Sequence, residues 1–76
     1  MPHVVISCFK ADIPAPNLER IQQQITDLLQ QELACSPGAV SVDLKLVEPD
    51  SWKDHVYHTA IAPRMDALIR KPGYSY

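Results

Sequence analysis

Residues 40–46 read Val40-Ser41-Val42-Asp43-Leu44-Lys45-Leu46, and this alternation of apolar and polar types decides the fold. A period of two belongs to a strand with one buried face and one wet face. Glu48-Pro49-Asp50 ends it, because Pro49 has no N–H to offer a ladder. Upstream, Leu18, Ile21, Ile25, Leu28 and Leu29 recur at steps of three and four, which predicts an amphipathic helix running to about Ala34. Asn17 stands at the N-cap position, and Glu19 falls in the first turn near the positive end of the dipole. Gln22, Gln23, Gln24, Gln30 and Gln31 fill the polar side, and Ser36-Pro37-Gly38 stops the helix. Further upstream, His3–Phe9 is rich in β-branched and aromatic residues and short enough for a first, buried strand. Asp12, Pro14 and Pro16 make the stretch between them a loop.

A helix between two strands places them parallel, joined by a right-handed crossover. Beyond the second strand, Asp50 or Ser51 caps a short turn carrying Trp52. A second helix is predicted from near Ile61, with Pro63 in its first turn and Met65, Leu68 and Ile69 as its buried stripe. Lys71-Pro72-Gly73 ends that helix and leaves Tyr74-Ser75-Tyr76 as a tail suited to pair with a partner. The fold class is therefore α/β: one β-α-β unit with a second C-terminal helix, residues 1–76 forming a single domain. Two strands make no stable sheet alone, and a chain of 76 residues buries only about 60% of its unfolded surface. The strands are expected to pair with those of a partner subunit.

Charge narrows the partners. A net charge of −2, with only seven scattered Lys and Arg residues, excludes a nucleic-acid surface. No apolar run approaches the roughly 20 residues that span a bilayer, and the start lacks the basic segment and apolar core of a signal peptide. The expectation is a cytoplasmic protein that binds neither nucleic acid nor membrane. Cys8 and Cys35 lie among apolar neighbours and read as small hydrophobes, not as a disulfide framework. His55 and His58 have the i, i+3 spacing of a metal-binding pair, but no third ligand accompanies them; an exposed histidine pair is the simpler reading, and no metal site is expected. With two glycines, the chain has no phosphate-cradling loop.

The chemistry centres on Pro2. If Met1 is removed, Pro2 carries a secondary amine where it had a tertiary amide, and a neutral amine can take a proton from a carbon acid. An α-amino group ordinarily titrates at about 7.7–8.0, and desolvation disfavours the cation and releases the lone pair. Val4 and Ile6 flank the strand that Pro2 opens, with Trp52 and Met65 as pocket walls. His3, next in the strand, points to the opposite face and reads as a surface or inter-subunit contact.

The opening MPHVVISCF, the β-α-β length, Ser51-Trp52 and the block IAPRMDALIRKPGYSY resemble the small tautomerases of the 4-oxalocrotonate tautomerase superfamily, in its bacterial phenylpyruvate-type (PptA-like) branch. The resemblance spans nearly the whole chain, and its most specific part is the block 61–75. It implies a β-α-β unit that pairs into a four-stranded sheet, as a homodimer and less readily a hexamer. It also implies a tautomerase, an isomerase interconverting the enol and keto forms of a 2-oxo acid, with Pro2 as general base and no cofactor. The hexameric relatives use two arginines to hold a dicarboxylate. Here the corresponding stretches read Lys10-Ala11-Asp12 and Val42-Asp43, so a monocarboxylic enol with an aromatic or apolar tail is preferred. Lys10 is read either as the carboxylate's partner or as a solvated loop lysine, and Arg64 either as a second such cation or as surface. Trp52 is read either as pocket lining or as core. Two alternatives stay open: a dimeric protein of this fold that binds small molecules without turnover, and a proline-dependent hydratase or dehalogenase.

Overall fold

The computed structural model describes all residues from Met1 to Tyr76. Strand β1, His3–Phe9, lies parallel to strand β2, Ser41–Val47, and the two form a two-stranded sheet in the register His3 to Ser41 through Phe9 to Val47. The backbone ladder runs one step past the strands, where the Lys10 N–H donates to the Val47 carbonyl at 2.9 Å. Helix α1, Ala15–Leu33, makes the crossover. The β-α-β order and the parallel pairing are those the sequence predicts, and β2 is offset by one residue from the 40–46 stretch.

Two boundaries differ in their chemistry. Asn17 does not cap α1: the helix opens two residues earlier, behind Pro14, whose carbonyl accepts from the N–H groups of Asn17 at 2.9 Å and Leu18 at 3.2 Å. Pro16 fits the first turn, where no N–H is required. The Asn17 Oδ1 instead accepts from the Arg20 guanidinium at 2.8 Å. At the far end Ala34 takes the left-handed conformation, φ 52° and ψ 44°, a position that favours glycine.

The second helix starts earlier than predicted and is wound differently. Its first turn, α2, is Pro49–Trp52, with Asp50 in the first turn and neither Asp50 nor Ser51 capping it by a side chain. Lys53–Ile61 continues it as π-helix, and Ala62–Ala67 tightens to a 3-10 turn with a kink at Arg64. Leu68 is already extended, so the expected stripe of Met65, Leu68 and Ile69 does not form, and Ile69 stands fully exposed. A reason lies in the aromatic spacing. A π-helix bonds i to i+5, so residues five apart stack on one side, and Trp52 and Tyr57 are five apart. Both reach Tyr74: the Trp52 Nε1–H donates to the Tyr74 hydroxyl at 2.8 Å, and the Tyr57 and Tyr74 rings lie 5.7 Å apart. The 74–76 tail is therefore no strand. It folds back on its own chain, with Tyr76 packed edge-on against Tyr57 at 5.0 Å.

That aromatic knot holds the one buried residue of the chain, Tyr57, at 6% exposure. Elsewhere apolar surface is left open. Val5 and Phe9 on β1 are about half exposed (49% and 52%), and Leu28 and Leu33 on α1 are similarly open. Ile21, Ile25 and Leu29 are the half-buried side of α1. Between α1 and the sheet runs an open apolar groove of about 350 Å³, with Ile6, Val42 and Leu44 as its floor and Leu18 and Ile21 as its wall.

Candidate functional site

Pro2 sits immediately before β1 and is half-buried. Its carbonyl accepts from the Ser41 N–H at 3.1 Å, so the first turn of the ladder starts on the proline itself. Strand alternation puts Pro2 on the face of Val4, Ile6 and Cys8, whose member Ile6 floors the groove beneath α1. His3 points the other way. Its Nδ1 lies 2.6 Å from the Ser41 Oγ, its partner across the ladder. Ser41 thus touches both residues that open the chain's first strand, a connection that sequence spacing does not reveal because it joins positions 38 residues apart.

Trp52 and Lys10 lie at the other end. The Trp52 ring packs edge-on against Phe9 at 5.2 Å, and Lys10 follows Phe9 directly. Seven residue steps lead from Pro2 to Phe9, a distance of about 23 Å along β1. Within one chain, then, Pro2 is not brought together with Trp52 or Lys10. The Lys10 Nζ is 3.3 Å from the Glu48 carboxylate, and both side chains are well exposed, so the pair contributes little to stability. Arg64, in the 3-10 turn, is exposed and makes no ion pair.

Trp52 belongs to a second cavity, about 350 Å³, lined by Phe9, Trp52, Tyr74, Ser75 and Tyr76. Aromatic faces and edges dominate it, with polar atoms at the Ser75 and tyrosine hydroxyls. Such a wall accepts a planar apolar ring in offset or edge-to-face contact. Lys10, beside Phe9, and Lys53, beside Trp52, are the charges adjacent in sequence to its lining residues. The contributions of Phe9, Tyr74 and Tyr76 are not visible in the sequence pattern, since positions 9, 52, 74 and 76 share no period; the only signal is that the aromatic residues are few and all but Phe9 fall in the second half of the chain. Met65, proposed as a pocket wall, lines neither cavity. His55 and His58 lie on the π-helix, and no group of three His, Cys, Asp or Glu side chains gathers anywhere in the chain.

No protein-family model matches the chain. Curated proteins do. It is 38% identical over 74 residues to Tautomerase PptA of Cronobacter sakazakii, covering 97% of each chain. It is 36% identical over 75 residues to Tautomerase PptA of Escherichia coli, covering 99% of each.

Proposed function

Because the chain belongs to the PptA-type tautomerases of the 4-oxalocrotonate tautomerase superfamily, we propose that it is a keto–enol tautomerase acting on a phenylpyruvate-like 2-oxo acid, with Pro2 as general base once Met1 is removed. The neutral amine takes the enol O–H proton as the C–O bond becomes a carbonyl. At the adjacent carbon, the electron pair of the C=C bond then takes that proton from the ammonium. The amine ends the cycle as it began, so no cofactor is needed. Proline suits the task because its ring presents the lone pair with little conformational freedom to lose.

The observation that carries this reading is the division of the site along β1. The base stands at one end, and the aromatic pocket with Lys10 stands at the other. A homodimer joins them. β2 carries Asp43 and Lys45, charges of the kind that protect an exposed edge, whereas β1 (HVVISCF) has no Lys, Asp, Glu or Pro along seven residues. β1 is the edge left open to pairing. Two copies paired antiparallel about the middle of β1 place the start of each strand beside the end of the other. Pro2 then lies beside the partner's Lys10, at the end of the strand where the partner's aromatic pocket stands. Pro2 and Lys10 are eight positions apart, so strand alternation puts them on one face.

In that arrangement Lys10 leaves its weak, solvated pair with Glu48 for the substrate carboxylate, and Trp52 supplies the wall for an aromatic tail. Arg64 is the second cation proposed for the carboxylate. Asp43, on β2 where the hexameric relatives have an arginine, favours a monocarboxylate over a dicarboxylate. The test is a ketonisation assay with phenylenolpyruvate on three forms: wild type, Pro2→Ala, and protein with Met1 retained. The expected result is a loss of at least about a hundredfold where Met1 is retained, the scale of a removed general base, and a smaller loss in Pro2→Ala, whose N-terminus is still an amine but lacks the ring that orients it. Equal rates in all three contradict the reading and favour a binding protein without turnover.

A further inference from the structure

We propose that Ser41 is the positioning residue for Pro2, holding the chain's first strand residues in place by two bonds from one side; this rests on the reading of Pro2 as the base. Its backbone N–H donates to the Pro2 carbonyl at 3.1 Å, and its Oγ is 2.6 Å from the His3 Nδ1. The first bond fixes ψ of Pro2, while the pyrrolidine ring restricts the remaining torsion. The second pins the next residue at its side chain, so both residues are tied to the start of β2.

A tie of this kind is needed because chain termini fray unless held. Loss of Met1 leaves Pro2 with nothing ahead of it, and no other hydrogen bond reaches Pro2 or the His3 ring. A base must sit within hydrogen-bond reach of its proton, and small displacements are costly to rate. The His3–Ser41 bond also survives a change in the imidazole's charge. Neutral His3 accepts the serine O–H at Nδ1, and protonated His3 donates from the same atom. His3 faces away from Pro2, so the pair acts through the backbone and touches no substrate.

The experiment uses full-length protein lacking Met1, with two readouts: ketonisation of phenylenolpyruvate and the 15N order parameter of the His3 amide. Ser41→Ala keeps the backbone N–H and deletes Oγ. It lowers kcat about fivefold with KM unchanged, as expected of a mispositioned base whose substrate still binds. The order parameter falls from about 0.85 to below about 0.6. Ser41→Thr, which keeps the hydroxyl and suits a strand, restores both. An alanine variant with wild-type kcat and order parameter overturns the proposal, as does a loss that threonine fails to rescue. If protein that retains Met1 keeps full rate, the base reading fails, and the order parameter alone still decides whether Ser41 anchors the terminus.

Discussion

Residues 3–47 carry two strands and a 19-residue helix, yet none of them is buried; residues 49–76, a helix that changes its winding twice and then an extended tail, hold the one buried side chain, Tyr57. Regularity and burial have come apart. The β-α-β unit satisfies its backbone through ladder and helix but leaves Val5, Phe9, Leu28 and Leu33 open. The C-terminal segment satisfies its side chains first. Trp52, Tyr57, Tyr74 and Tyr76 close on one another, and the backbone adopts π and 3-10 turns to let them. A chain of this size has a marginal core at best. One region completes itself, and the other leaves open the apolar surface that the proposed second copy is to cover.

Three substitutions sharpen that contrast. The largest effect is expected at Tyr57. Tyr57→Ala removes the centre of the aromatic knot and lowers stability by about 3–5 kcal/mol, the range for truncating a large buried aromatic. Chemical denaturation followed by far-UV circular dichroism measures it; a loss under about 1 kcal/mol breaks the claim that this region carries its own core. Val5→Lys comes next, because a lysine on an open edge blocks pairing. Wild type is expected to unfold at a temperature that rises with protein concentration, and the variant at one that does not. Light scattering then reports the 8.5 kDa monomer for the variant and twice that mass for wild type. Ala34→Gly is the smallest. It relieves the left-handed helix end and raises stability by about 1 kcal/mol without touching either apolar region.

The same contrast governs what the sequence made legible. The period of two in 40–46 places β2 and the steps of three and four in 18–29 place α1, because those elements are dictated by side-chain direction along a regular backbone, while β1 is legible from its β-branched and aromatic content. The helix start was misplaced because a proline at the first turn outcompeted Asn17 as the opening signal. The C-terminal half follows no period. Met65, Leu68 and Ile69 have helical spacing, but Trp52 and Tyr57 at a spacing of five, with Tyr74 between them in space, decide the winding instead. Of the candidate site, Pro2 and Trp52 were readable as residue types. Their separation by the length of β1 was not, since a sequence read as one chain does not say which copy faces which end.

The claim on which the account turns is that each site takes its base from one copy and its pocket from the other. Protein that retains Met1 and Lys10→Ala protein, each impaired alone, are unfolded together at equal concentration, refolded, and assayed with phenylenolpyruvate. In a two-fold dimer each mixed pair regains one intact site, so the mixture recovers about one quarter of wild-type activity. No recovery above the separate variants contradicts a shared site.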